Sequence, residues 1–192
     1  MLVTPNRLTA LRIILACICA ILLFSWRSLF VEFITAGLFS VACFTDWLDG
    51  YLARTKSMIT QTGKIVDPIA DKLLILGVMS GFAYYELYPV EWVILIGVRE
   101  FLVTAWRLIM LGKSEVLQAE WAGKIKVGFQ VGSIYATFVY LLLDDSAVFD
   151  ASFAAVLLSF QWIHYLGIFL AALVTVASGI IFFHRLNSPP PL

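Results

Sequence analysis

The sequence predicts an all-α integral membrane protein, and three observations carry that expectation. Of its 192 residues, 61% are hydrophobic and only 14% charged, with a mean hydropathy of +0.94; a soluble domain of this size would leave much of that apolar surface wet. Apolar runs of about 20 residues, enough to cross roughly 30 Å of hydrocarbon as helices, recur along the whole chain. Short polar or breaker segments separate them. The runs leave no room for a separate soluble domain, so one membrane domain over residues 1–192 is expected.

The first span is expected near residues 8 to 26. No small-residue cleavage site follows it, so it reads as a retained helix and not as a removed signal peptide. Trp26-Arg27-Ser28 closes it, and a second span follows near 30 to 54. The polar run TKSMITQT leads to a third near 63 to 85, and Tyr88-Pro89 precedes a fourth near 90 to 111. Gly112-Lys113-Ser114 introduces the fifth, near 122 to 143, and Asp144-Asp145-Ser146 the sixth, near 156 to 183. Trp26, Tyr84, Tyr85, Tyr88, Trp92 and Trp162 fall near span ends, where interfacial aromatic belts lie. Cys17, Cys19 and Cys43 sit in apolar context without metal-type spacing and read as packing residues.

Lysine and arginine accumulate at cytoplasmic span ends. Arg7 and Arg12, then Arg54, Lys56 and Lys64, then Arg107, Lys113, Lys124 and Lys126, and finally Arg185 fall at alternate ends of the expected spans. The opposite ends carry Glu86, Glu91, Asp144, Asp145 and Asp150, with Arg27 as their base. Both termini are therefore expected in the cytoplasm, with Asp46, Asp49, Asp67 and Asp71 in the cytoplasmic half of spans two and three.

Those four aspartates are the anomaly in an oily chain. Ionisable groups inside membrane spans are costly and face a partner or a wet cavity. At about 100° per residue, Asp46 and Asp49 fall roughly 60° apart on one helix, and Asp67 and Asp71 roughly 40° apart on the next. Each pair shares a face. Four carboxylates converging without a cation would repel one another. A hard divalent ion, Mg²⁺ or Mn²⁺, prefers oxygen ligands and is commonly shared with substrate phosphates. Gly50, directly after Asp49, permits close approach to the backbone, and Ala53 is similarly small. Arg54, one turn beyond Gly50, offers a planar fork suited to a diphosphate. Gly63 opens the next helix, and Pro68 is expected in its first turns, where a lost backbone donor is tolerable. Singly, each aspartate reads as a cap or interfacial charge and each glycine as a packing contact. Independent caps give no reason for the joint pattern.

Asp46-x-x-Asp49-Gly50-x-x-Ala53-Arg54, eight residues, then Gly63-x-x-x-Asp67-x-x-x-Asp71 resembles, without a gap, the signature of the CDP-alcohol phosphatidyltransferases. The likeness extends to Asn6-x-Leu8-Thr9-x-x-Arg12, Asp67-Pro68-x-Ala70-Asp71-Lys72, Arg99-Glu100 and Gly123-Lys124-x-Lys126. These flanking pieces are most similar to the bacterial members whose acceptor is sn-glycerol 3-phosphate, although Val127 stands where those often have threonine. The resemblance implies six membrane helices, a homodimer, a polar cavity open to the cytoplasm of a bacterial inner membrane, and two divalent metal ions. It implies Asp46, Asp49, Asp67 and Asp71 as metal ligands, with Asp71 also the general base. Gly50, Ala53, Arg54, Gly63 and Thr60, with Asn6, Thr9 and Arg12, would contact CDP-diacylglycerol. No nucleic-acid partner is expected.

A phosphorylated acceptor needs its own cations, and Arg99, Lys124, Lys126 and Arg107 are the candidates. Arg99 lies well inside an apolar span. Its neighbour Glu100 points about 100° away, so pairing between them is not expected to satisfy it. Lys124 and Lys126 read equally well as positive-inside anchors, and Arg107 leans that way. His164, without a second ligand at metal spacing, reads as a packed or interfacial residue. Transfer to serine, to an inositol phosphate or to phosphatidylglycerol are rival expectations within the same chemistry. A divalent-cation transporter is a remote one, since Arg54 would repel a permeating cation.

Overall fold

The computed structural model describes residues 5–56, 61–112, 121–145 and 151–186, with side chains described over 9–48, 66–110, 123–144 and 162–184. Six helices account for nearly all of it: α1 (Pro5–Ser25), α2 (Leu29–Lys56), α3 (Gln61–Tyr84), α4 (Val90–Gly112), α5 (Trp121–Asp145) and α6 (Ala151–Leu186). They coincide in order with the six apolar runs. They start at or before those runs, and α2, α4, α5 and α6 also end beyond them, because interfacial polar residues continue the helical turn after the hydrocarbon pattern stops. One consequence concerns Pro68. Since α3 starts at Gln61, the proline falls two turns inside the helix and not in its first turn. The missing N–H therefore interrupts the ladder, and Lys72 Nζ donates to the Pro68 carbonyl at 3.2 Å.

Among the described residues, three stretches are long and apolar enough to cross a bilayer: Leu29–Leu48, Gly123–Asp144 and Trp162–His184. They mark the chain as a membrane protein. Helix α1 has a shorter apolar stretch, Thr9–Ser25, and α3 and α4 are interrupted by charges, Asp67, Asp71 and Lys72 in one and Arg99, Glu100 and Arg107 in the other. Large apolar side chains, among them Ile14, Ile21, Phe30, Phe33, Ile94, Phe101 and Ile180, cover the outside of the bundle. That is the surface a helix bundle turns to lipid, where the backbone is already satisfied within each helix.

Helix α1 packs on α2 and α3, α4 lies against α3 and α6, and α5 packs on α6 and α2. Small residues set the closest approach. A Cβ added at Gly81 of α3 would stand 2.8 Å from Leu23 Cβ of α1, and one at Gly77 3.6 Å from Ala20 Cβ. Without a hydrophobic drive between helices in lipid, such contacts supply the dispersion that holds them together. The core is aromatic where α2, α3 and α5 meet: Phe82 packs edge-on against Tyr88 and Phe138, at 5.4 and 5.1 Å between ring centres. Helix α3 ends in a Schellman turn. Leu87 N–H donates to the Phe82 carbonyl at 2.9 Å and Glu86 N–H to that of Ala83 at 3.0 Å, with Glu86 at φ 61°.

His164 is packed, as the sequence suggests. It is buried, with its ring 4.6 Å from that of Tyr140 and 4.4 Å from that of Tyr165. At the α1–α2 connection, Arg27 pairs with Glu32 at 3.4 Å and with Asp144 of α5 at 3.1 Å. Asp144 and Arg27, assigned to the same side from charge alone, therefore do meet.

Candidate functional site

The start of α1 crosses the second half of α2 and the first half of α3, and there it meets two of the aspartates. Arg12 is buried and places Nη1 2.8 Å from Asp46 Oδ1, while the Asp46 side chain stays 49% exposed. One turn earlier on α1, Thr9 Oγ1 donates to Asp67 Oδ1. Asp71, a turn beyond Asp67, forms part of a cavity wall. It lies within electrostatic reach of Asp46, Lys72, Arg12 and Glu100. Three of the four aspartates are thus gathered at one end of the α1–α2–α3 contact.

Asp49, Gly50, Ala53 and Arg54 continue α2, Gly63 lies in α3 and Asn6 in α1, all with side chains outside the described set. Thr60 lies outside the described residues altogether. Among the described residues, no group of three or more His, Cys, Asp or Glu side chains stands at metal-binding spacing. What the described aspartates do present is a donor set made only of carboxylates, one of them half open to solvent, which is the chemistry a hard divalent cation takes.

Beside Asp71 opens a cavity of about 290 Å³ between α3, α4 and α5, whose charged lining is Asp71, Lys72, Arg99, Glu100, Arg107, Lys124 and Lys126. All four candidate acceptor cations therefore line one space. Arg107 also sets its guanidinium 5.4 Å from the centre of the Phe182 ring of α6, a cation–π contact that holds it at the rim.

The centre of the cluster is Glu100, which the sequence reading weighed only as a neighbour of Arg99 and did not count among the site residues. Arg99 Nη1 lies 3.0 Å from Glu100 Oε1 and Lys72 Nζ 3.6 Å from Oε2. Lys126 also pairs with Oε1, and Gln130 Nε2 approaches the same oxygen at 3.5 Å. The angle between neighbours weighed against a pair of Arg99 with Glu100, and here the structure corrects it: the two do pair. The 100° between adjacent Cβ directions constrains the stems, but a long guanidinium side chain curls back over its own helix to reach the neighbour.

Helix α6 supports the cluster from behind. Arg99 Nη2 donates to Ser178 Oγ at 2.9 Å, and Gln130 Nε2 to Thr175 Oγ1 at 3.0 Å. At Gly179 an added Cβ would lie 3.1 Å from Arg99 Cγ and 3.2 Å from its Nε. Gln130, Thr175, Ser178 and Gly179 were not anticipated. The one available signal was polar residues in otherwise apolar spans, which in membranes mark interhelical hydrogen bonds.

With this geometry in place, the chain is assigned by its match to a family model. It belongs to the CDP-alcohol phosphatidyltransferases, whose model covers residues 2–181. Among individual proteins, it is 36% identical over 192 aligned residues to the CDP-diacylglycerol–glycerol-3-phosphate 3-phosphatidyltransferase of Bacillus subtilis (strain 168), covering 94% of this chain and 93% of that one. Proteins of the same name from Shigella flexneri serotype 5b (strain 8401) and Salmonella choleraesuis (strain SC-B67) are 32% and 31% identical, each over 91% of this chain and 89% of theirs.

Proposed function

We propose that this protein transfers a phosphatidyl group from CDP-diacylglycerol to sn-glycerol 3-phosphate, giving phosphatidylglycerol phosphate and CMP. One observation carries the reading: a single cavity has Asp71 in its wall together with Lys72, Arg99, Lys124 and Lys126, so an acceptor's hydroxyl and phosphate can be met together. Its near-full-length similarity to proteins named for that reaction supports the same acceptor.

The acceptor hydroxyl oxygen attacks the lipid-side phosphorus of the diphosphate, the bond from that phosphorus to the bridging oxygen breaks, and CMP leaves with that oxygen. Asp71 takes the hydroxyl proton. A carboxylate is a weak base for an alcohol, so its help grows as the proton becomes acidic during attack. Asn6, Thr9, Arg12, Gly50, Ala53, Arg54, Thr60 and Gly63 form the CDP-diacylglycerol side of the site. Arg99, Lys124, Lys126 and Arg107 hold the acceptor phosphate. Asp46, Asp49, Asp67 and Asp71 would hold two divalent cations, Mg²⁺ or Mn²⁺. Bound there, such ions neutralise charge on the diphosphate and on departing CMP.

In this reading all six helices span the membrane, both termini and the cavity face the cytoplasm, and the protein works as a homodimer. Lipid tails then enter from the bilayer while glycerol 3-phosphate and CMP exchange with water. The test supplies purified protein in mixed micelles with CDP-diacylglycerol, Mg²⁺ and a panel of acceptors, and reads the lipid product by mass. Phosphatidylglycerol phosphate with one CMP per lipid is expected. A product carrying serine, inositol phosphate or a second phosphatidylglycerol in its place would overturn the acceptor assignment.

A further inference from the structure

We infer that Glu100 is a positioning residue for acceptor recognition, gathering Lys72, Arg99 and Lys126 from α3, α4 and α5 so that the acceptor phosphate meets a preassembled set of cations. The inference rests on the reading of the cavity as the acceptor site and adds what arranges it.

Three cations largely withdrawn from solvent within reach of one another repel and would splay toward water or lipid unless an anion stood among them. Glu100 is that anion: Arg99 and Lys126 share its Oε1, and Lys72 faces Oε2. Across the whole lining the five cations Lys72, Arg99, Arg107, Lys124 and Lys126 still outnumber the two carboxylates Asp71 and Glu100, a positive balance that suits an anionic phosphomonoester. Without Glu100 nothing would fix where these cations sit. Preorganisation of this kind lets a ligand bind without first ordering its site.

The direction of Arg99 is set separately by α6. Ser178 accepts from Nη2 at 2.9 Å, and Gly179 leaves the space that the stem of Arg99 occupies, with an added Cβ meeting Cγ at 3.1 Å and Nε at 3.2 Å. Neither Ser178 nor Gly179 lines the cavity. Both act through Arg99.

Steady-state kinetics on the full-length protein test this with two variants, Glu100→Gln and Gly179→Ala, each measured against both substrates. Glu100→Gln is expected to raise KM for glycerol 3-phosphate by about tenfold or more, with KM for CDP-diacylglycerol held within about twofold. Gly179→Ala replaces the poorer helix former by the better one, so the helix gains while Arg99 is pushed. Its expected result is a rise of about threefold in the glycerol 3-phosphate KM with no fall in melting temperature. A Glu100→Gln protein that folds and keeps its acceptor KM, or raises both KM values equally, overturns the inference. Should Glu100→Gln not fold, an unchanged acceptor KM in Gly179→Ala overturns it alone. If the wild-type protein turns over with no phosphorylated acceptor, the proposed function falls and takes this inference with it. If it does turn over and the variants leave KM unmoved, the inference alone falls.

Discussion

Around Tyr88 the bundle buries polar groups that are neutral and closed on one another; around Glu100 it buries charges that open onto a cavity. In the first region Thr137 Oγ1 lies 2.7 Å from Tyr88 Oη and 2.9 Å from the Ser133 carbonyl. Aromatic rings close the surroundings, with Phe82, Phe138, Tyr140 and His164 packed face or edge against their neighbours. Such a network costs little to bury, because each hydroxyl replaces its lost water with a protein acceptor. In the second region the cations outnumber the carboxylates, and the imbalance has to be met by something that enters the cavity. Balanced polarity belongs to packing, and unbalanced charge beside an accessible volume belongs to binding.

Perturbing the two regions separates these roles, and the largest effect is expected from the ions. Chelation by EDTA should abolish CMP release, and added Mg²⁺ or Mn²⁺ should restore it; full turnover after exhaustive chelation would remove the metals from the reading. Asp71→Asn should reduce CMP release by at least about a hundredfold, measured with CDP-diacylglycerol, glycerol 3-phosphate and Mg²⁺. Near-normal turnover would sink Asp71 both as base and as ligand.

Phe82→Ala, in the neutral region, should lower stability by about 3 kcal/mol through the cavity it leaves. Both KM values should stay as they were, and a selective change in either would break the division between the regions. Lys126→Ala should do the reverse, raising the glycerol 3-phosphate KM about tenfold and leaving that for CDP-diacylglycerol near its original value. Equal effects on the two would count against an acceptor pocket at Glu100. The smallest effect is expected at the far end, where Asp144→Ala removes the exposed partner of Arg27 and leaves Arg27 paired with Glu32; it should change stability by less than about 1 kcal/mol.

Much of this was legible in the chain. The six helices follow from runs of apolar residues, because helix formation in lipid depends mainly on hydropathy and length. The aspartates were legible for a related reason: a charge inside such a run is costly enough that its position is informative by itself. The partners of Arg99 were not legible. Helical-wheel angles locate a Cβ, whereas a guanidinium ends several bonds away and can reach its sequence neighbour. Pro68 was misplaced by the same kind of shortfall, since nothing in TKSMITQT marks where α3 begins, and a few residues decide whether a proline starts a helix or interrupts it.

The amino-acid sequence by itself determined that this is a helical membrane protein of the CDP-alcohol phosphatidyltransferase family and which carboxylates set it apart, because hydropathy and a gapless motif are local properties of the chain. Only the tertiary structure decided that Lys72, Arg99 and Lys126 share Glu100, that Arg12 and Thr9 reach Asp46 and Asp67, and that Ser178 and Gly179 seat Arg99. Apart from Arg99 with Glu100, these contacts join residues far apart in sequence, and their existence depends on how helices cross and how close small residues let them come. The crossing is set by packing over whole helix faces, which no single stretch of sequence contains.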